Sequence, residues 1–219
     1  MKHRSYYFWL IVKSIRYCRY FPQMIPAMIF YLLIRKNTKN ILKEDIDRFY
    51  AIEYGGNKNS YFTAFYRLMV EYPAFRNVYY CRLSYFGDMI SWFIPKWKTL
   101  AIRTRTQNIG GGLYIQHGTS TRILAHKIGK NLFINQNATI GWSGTGFPTI
   151  GNNVRIGAGA VVVGPITIGD NVNIGANATV TKDIPSNVTV VSPHAYICKR
   201  DGKRTFEPIS GSIYDQLTK

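Results

Sequence analysis

Acidic residues are scarce in this chain. Its 219 residues include 11 Asp and Glu against 28 Lys and Arg, a formal net charge of +17. This imbalance favours a phosphate-bearing partner or an anionic membrane surface. Cysteine is scarce too: the three cysteines form no C-x-x-C pair, so we expect no structural zinc site and no other metal. Because 46% of the residues are hydrophobic, general disorder is excluded.

Long hydrophobic runs are missing as well. The longest uncharged stretch near the N-terminus, Tyr20–Ile34, has 15 residues and contains Pro22 and Pro26. A bilayer span needs ~20 apolar residues, and no small-residue cleavage site marks a signal peptide. We therefore expect a cytoplasmic protein. The first 36 residues predict a basic, aromatic helix, or two helices broken near the prolines. This segment either lies at the inner face of the cell membrane or packs on its own protein or on another subunit.

The first 106 residues differ in composition from the rest. They carry 18 basic and 6 acidic residues and 25 of the 32 aromatic residues. The basic residues match no nucleic-acid-binding motif, so we expect no nucleic acid partner. We predict an α-helical domain over 1–106. Within it the pattern predicts a helix over 40–54 with Asn40 as N-cap, a loop over 55–60, a helix over 61–83 interrupted at Pro73, and a connector over 84–106.

A six-residue repeat dominates the second half. A period of six fits neither an α-helix nor strict alternation, but it fits a short strand and a turn repeated three times per coil. The repeat therefore predicts a parallel β-helix over 107–200, followed by a tail over 201–219. Gly and Asn beside each aliphatic residue suit turns with positive φ. The repeating aliphatic positions are Ile150, Ile156, Val162, Ile168, Ile174 and Val180.

The rhythm of the repeat breaks twice. Between Ile115 and Ile128 there is one residue more than two units allow, and between Ile140 and Ile150 there are ten residues instead of six. Insertions in repeat proteins become loops on one face, often the binding face. The two breaks therefore predict where the chemistry lies.

Residues 109–200 resemble the hexapeptide-repeat acyltransferases, above all serine acetyltransferase and its relatives in polysaccharide biosynthesis. The motifs are "IGGGLYIQHGTS", "INQNATIGWSGTGFPTIGNNVRIGAGAVVVG" and "VTKDIPSNVTVVSPHAYI". The resemblance implies a mainly β fold, a left-handed parallel β-helix preceded by an α-helical domain. It also implies acetyl-CoA as acyl donor and a homotrimer, or a dimer of trimers, with active sites between subunits.

His117 is the predicted catalytic residue. It lies in "QHGTS" beside the first rhythm break, and the resemblance places the family's catalytic base at this position. Acyl transfer to a hydroxyl needs a group that removes the proton as the oxygen attacks, and imidazole accepts a proton near pH 7. His126 is the second candidate, and His194 is expected to be a turn residue.

The resemblance also implies a donor site. Its small residues, Ala158 and Ala176, would let backbone groups approach the pantetheine arm. Thr181 and Lys182 match a pair at the nucleotide end, where a lysine suits a phosphate, and Lys199 is expected to add to it. The alternatives are plain packing for the alanines and an exposed charge for Lys182.

Three positions depart from the serine acetyltransferase pattern. Ile102 stands where the family has a carboxylate that partners the histidine, Gln116 replaces an acidic residue, and Phe147 replaces a second histidine. Phe147, Trp142 near the long insert and the net charge of +12 on residues 1–106 favour a sugar of a capsule or exopolysaccharide precursor as acceptor. Two alternatives stay open: serine O-acetylation in cysteine biosynthesis, and a noncatalytic membrane-associated scaffold. Gly141 is a candidate oxyanion donor.

Overall fold

The computed structural model describes residues 2–193 and 195–208. Five α-helices come first, and a parallel β-helix follows, which confirms the predicted fold class. The helices are α1 (Lys2–Leu33), α2 (Lys36–Tyr54), α3 (Tyr61–Glu71), α4 (Pro73–Leu83) and α5 (Tyr85–Ile90).

Two details of the helical half differ from the predictions. Helix α1 runs unbroken through Pro22 and Pro26, because its neighbours Met24, Ala27 and Tyr31 are all buried, and tertiary packing outweighs the cost of proline in a helix. Helix α2 begins at Lys36, so Asn40 is inside the helix and is not its N-cap. The predicted interruption at Pro73 is confirmed, since the proline opens α4.

Strands of two or three residues form the coils, and a longer hairpin ends the described chain. Strands one coil apart pair in parallel and build three faces, which have the orders β1-β3-β6-β9-β12, β10-β7-β4 and β13-β11-β8-β5-β2. We call these sheets A, B and C. The strands are β1 (Ala101–Ile102), β2 (Tyr114–Ile115), β3 (Arg122–Ile123), β4 (Lys127–Ile128), β5 (Phe133–Ile134), β6 (Thr139–Gly141), β7 (Thr149–Ile150), β8 (Arg155–Ile156), β9 (Val161–Val163), β10 (Thr167–Ile168), β11 (Asn173–Ile174), β12 (Thr179–Val180), β13 (Thr189–Val190), β14 (Tyr196–Arg200) and β15 (Lys203–Pro208).

The repeat sets both the interior and the turns of the coil. Aliphatic side chains of the repeat, such as Ile156 and Ile174, are fully buried and stack on one another along the axis. Asparagines of one corner adopt positive φ, as the sequence predicts, and their side chains form a continuous chain of hydrogen bonds. Asn131 donates to Asn153 over 2.9 Å, Asn153 to Asn171 over 3.0 Å, and Asn171 to Asn187 over 2.8 Å.

A buried ion pair joins the two halves. Arg82 of α4 donates to both carboxylate oxygens of Asp45 of α2, over 2.8 and 3.0 Å, and both side chains are almost completely buried. The same guanidinium donates to the carbonyls of Ile109 and Gly110, and the Leu113 N–H donates to Asp45. The helices and the first coil therefore share one core.

The predicted connector over 84–106 contains regular structure. Helix α5 lies in it, and its last part holds β1, which pairs with β3 and so already belongs to the coil. The six-residue spacing does not extend back to β1, because Ile102 and Ile109 are seven residues apart, which explains why the sequence pattern missed β1.

Candidate functional site

Sheet A is flanked by two corners that hold most of the predicted site residues. We name each corner after one residue in it. The His117 edge comprises the turns that lead from sheet C to sheet A, at residues 116–121, 135–138, 157–160 and 175–178. The Trp142 edge comprises the turns that leave sheet A, at residues 124–126, 142–148, 164–166 and 181–183.

His117 occupies a widened turn at the first rhythm break. Its φ is +58°, and Gly118 and Ser120 also have positive φ. The corresponding turns of later coils each hold a single such residue: Asn137, Gly159 and Asn177. The extra residue of the sequence is therefore absorbed here, and it leaves the imidazole exposed at the corner. Non-glycine residues with positive φ cost energy and are common at functional sites, where the surroundings impose them.

No carboxylate stands beside His117 in the part of the chain described. Ile102, at the position of the family's carboxylate, lies in β1 opposite Ile123. Gln116 donates its backbone N–H to Ile134 over 2.9 Å and is half-buried. Within the described residues the imidazole ring makes no hydrogen bond, so no such contact holds the ring in place there.

Ala158 and Ala176 lie on the same edge as His117. Hydrogen bonds from backbone N–H groups to backbone carbonyls connect the successive turns. The N–H of Asn137 donates to the carbonyl of Thr119, that of Gly159 to Gln136, and that of Asn177 to Ala158. His117 and Ala176 are three coils apart, roughly 14 Å at ~4.8 Å per coil. Among the described residues, neither alanine N–H donates a backbone hydrogen bond. These N–H groups and the small side chains suit a narrow polar ligand that lies along the edge.

Trp142, Thr181 and Lys182 lie on the other edge. Trp142 begins the loop of the second rhythm break and is 59% exposed. Thr181 and Lys182 follow β12, two coils further on, and both are exposed. The structure thus separates these residues from His117 by the width of sheet A. Gly141, the candidate oxyanion donor, ends β6 at this edge and not beside His117.

The remaining predicted residues are spread out. His126 also lies on the Trp142 edge, where its backbone N–H donates to the backbone carbonyl of Pro148 over 2.9 Å. Lys199 lies on β14, which pairs antiparallel with β15 outside the coil. His194 lies outside the described residues. Phe147 lies in the loop of the second break and is partly exposed.

A cleft of about 620 Å³ lies on the outer face of sheet A, between the two edges. Ser120 lines it at the His117 side and Trp142 at the other side. Three cations line it, Lys98, Arg103 and Arg122, and no acidic residue does. The sequence prediction missed Lys98 and Arg103 because it took "KWKTLAIRTRT" as a connector, and Arg122 lies outside that segment, in β3. The alternation of Arg103 and Arg105 with threonines was the available signal for a strand edge.

Comparison with known proteins bears on this arrangement. The family model "Bacterial transferase hexapeptide (six repeats)" matches residues 147–182. The predicted resemblance to hexapeptide-repeat acyltransferases is confirmed. A serine acetyltransferase of Staphylococcus xylosus is 44% identical over 119 residues, which are 50% of this chain and 55% of the relative. A serine acetyltransferase of Synechococcus elongatus is 41% identical over 109 residues, 48% of this chain and 44% of the relative.

Solved structures agree with the fold. Serine acetyltransferase 1 of Entamoeba histolytica superimposes with a TM-score of 0.54 at 26% identity, covering 75% of this chain and 66% of that one. The serine acetyltransferase of Neisseria gonorrhoeae in complex with serine superimposes with a TM-score of 0.52 at 26% identity, covering 74% and 70%. The chain spans about half the length of the curated relatives it matches.

These similarities bear on the predicted acceptor. The relatives are serine acetyltransferases, so the comparisons favour the alternative acceptor, serine, over the sugar that the sequence favoured. The inference to a sugar rested on Phe147, Trp142 and the positive charge of the helical half, whereas the similarity to serine acetyltransferases extends over half the chain.

Proposed function

We propose that this protein is an acetyl-CoA-dependent O-acetyltransferase of the serine acetyltransferase type, with His117 as general base. The observation that carries the proposal is the 44% identity to a serine acetyltransferase over 119 residues. The His117 edge supports it, because an exposed imidazole shares that corner with Ala158 and Ala176.

The proposed reaction is a direct transfer. The imidazole of His117 accepts the proton of the acceptor hydroxyl while the hydroxyl oxygen bonds to the thioester carbonyl carbon. The carbon–sulfur bond then breaks, and the imidazolium returns the proton to the leaving thiolate. We propose that acetyl-CoA lies along the His117 edge with its amides beside Ala158 and Ala176. Thr181, Lys182 and Lys199 are proposed contacts of its nucleotide end, where Lys182 would meet a phosphate.

A homotrimer would complete this site. In one subunit the imidazole makes no hydrogen bond among the described residues, and the proposed nucleotide contacts are on the other edge of sheet A. A neighbouring subunit packed at the His117 edge would supply the missing wall and the group that orients the imidazole. The number of subunits per particle can be measured by sedimentation, with a mass of three chains expected.

We propose serine as the acceptor, bound in the cleft on sheet A with Trp142 at its rim. The cations Lys98, Arg103 and Arg122 suit a carboxylate, because arginine presents a planar fork of donors. Phe147 stands where the resemblance gives the family a second histidine, so the hydroxyl chemistry would rest on His117 alone.

The test measures thiol release from acetyl-CoA with L-serine, serine amide, a nucleotide sugar and a lipid-linked sugar as acceptors. We expect turnover with serine and at least tenfold less with serine amide, because the amide lacks the carboxylate. Equal rates for the two would contradict the role of the cations. Turnover with sugars alone would overturn the acceptor and leave the acyl transfer intact.

His117→Asn tests the mechanism without disturbing the turn, because asparagine tolerates positive φ and cannot act as a base near pH 7. We expect kcat to fall about 10²–10⁴-fold with an unchanged melting temperature. The matched control is His126→Asn on the other edge, expected to retain activity. A His117→Asn variant with full kcat would remove His117 from the mechanism.

A further inference from the structure

We propose that the outward face of α1, together with the neighbouring aromatic cluster of α5, is a docking surface for an anionic membrane. The proposal is independent of the acceptor and of the acyl transfer. It concerns the surface of the helical half that the rest of the chain leaves uncovered.

Helix α1 is held against the protein by one face only. Met24, Ala27 and Tyr31 are buried, and the Tyr79 hydroxyl donates to the carbonyl of Ala27 over 2.7 Å. Further toward the N-terminus, Glu71 accepts from Tyr17 over 2.6 Å. The orientation of α1 about its own axis is thereby set, and its opposite face points to solvent.

That opposite face carries an exposed apolar stripe. Its members recur at intervals of four and three residues, which places them on one side of a helix. Its aliphatic members are between 45% and 61% exposed, and the stripe contains no charged residue. We call it the outer stripe: Ile11, Ile15, Cys18, Pro22, Ile25, Ile29 and Leu32.

An aromatic cluster lies beside α1 near its C-terminal end. The ring of Phe30 packs on that of Phe86 with their centroids 5.5 Å apart, which joins α5 to α1. Trp92 is 89% exposed and Tyr85 is 82% exposed. Tryptophan and tyrosine are enriched at the boundary between lipid and water. The cluster comprises Tyr85, Phe86, Met89, Trp92 and Phe93. An uncovered apolar surface of this extent indicates an interaction site.

Charge selects the membrane as the occupant. The first 43 residues contain nine Lys and Arg and no Asp or Glu. Arg16 and Arg19 are exposed on α1, and Arg35 and Lys36 follow it directly. Basic residues beside an apolar helix face bind anionic lipid surfaces. A second copy of this chain is a poorer occupant, because it would place an equally basic helix, with no acidic residues to pair, against this one. In addition, Pro22 within the outer stripe would disturb regular packing between two helices.

The docked protein would lie on the membrane and not cross it. Of the helices that the structure describes, none is long and apolar enough to cross a bilayer. The outer stripe extends over about 32 Å for 21 intervals at ~1.5 Å each, which suits a helix parallel to the surface. In this pose the aromatic cluster would insert beside the end of α1.

The experiment is cosedimentation of the full chain with phosphatidylcholine vesicles, with and without phosphatidylglycerol. We expect binding to the anionic vesicles and at least tenfold weaker binding to the neutral ones. The Ile25→Asn/Ile29→Asn variant should lose about tenfold or more in affinity, and the Arg16→Gln/Arg19→Gln variant about fivefold per charge. Matched controls on the coil and hairpin are Val191→Asn/Phe206→Asn and Lys127→Gln/Lys203→Gln, all exposed in the structure.

Two results would overturn the proposal. One is a control variant that loses as much affinity as its α1 counterpart, because binding would then be unspecific. The other is no vesicle binding together with a lower particle mass of Ile25→Asn/Ile29→Asn in sedimentation, which would assign the outer stripe to a second copy. Near-UV circular dichroism of each variant distinguishes lost folding from lost binding.

Discussion

The two halves of this molecule are stabilised by different means. The helical half contains most of the aromatic residues and packs them on one another, for example Tyr31 against Phe65 with ring centroids 4.5 Å apart. The coil stacks aliphatic side chains in its interior and asparagines at one corner. The same contacts recur from each turn of the coil to the next. The helices therefore depend on contacts between residues far apart in sequence, whereas the coil depends on neighbours about 18 residues away.

The largest predicted effect concerns the buried ion pair of the helical half, which also holds the start of the coil. Arg82→Met should leave the carboxylate of Asp45 buried without its partner, which costs about 3–5 kcal/mol. Lys130→Gln removes the pair with Glu44, which links the coil to the helical half, but that pair is exposed and its loss should cost about 1 kcal/mol or less. Urea unfolding of both variants measures the difference. Similar losses would mean that burial does not distinguish the two pairs.

A smaller effect is expected within the coil. Asn153 has a φ of +54° and takes part in two of the side-chain hydrogen bonds of its corner. Asn153→Ala should destabilise the protein by about 2 kcal/mol, because alanine adopts this φ poorly and makes neither bond. Asn153→Gly also removes both hydrogen bonds, but glycine adopts positive φ without strain. This variant should therefore lose about half as much stability as Asn153→Ala. If glycine destabilised as strongly as alanine, the backbone conformation would not matter here. Thermal unfolding would make the comparison.

The smallest effect concerns acid stability in the helical half. Burial alone would raise the pKa of Glu71, but bonds from Lys13, Tyr17 and Tyr54 outweigh it and lower the pKa from 4.5 to about 2. A carboxyl with a lowered pKa stabilises the fold above its ordinary pKa, and this contribution is lost as pH falls through that range.

Glu71→Gln should therefore flatten the dependence of stability on pH between about 4.5 and about 2. At neutral pH it should cost about 1 kcal/mol or less, because the site is partly open to water. Unfolding free energies measured at several pH values provide the test, and Glu44→Gln is the control. An unchanged slope in Glu71→Gln would show that Glu71 does not titrate with the fold.

Much of the coil was predictable, and the site only in part. The six-residue period predicts strands, buried aliphatics and positive-φ turns, because each coil repeats the same local constraint. The period also indicates the two breaks, and the first of them contains His117. The cations of the cleft were predictable only in part: the alternation of Arg103 with threonines was a signal, whereas the approach of Arg122 to this segment depends on the pairing of β1 with β3. The course of α1 through two prolines was equally hidden, because packing against other helices decides it.

The sequence by itself determined that the second half winds into a parallel coil, because the same aliphatic and asparagine positions recur at a fixed period. It also determined the strong excess of positive charge. Only the tertiary structure decided that His117, Ala158 and Ala176 share one corner while Trp142 and Lys182 occupy another. It alone decided which face of α1 meets solvent. The physical reason is that a local repeat specifies its own turn, whereas an edge or an uncovered face exists only after distant residues have packed.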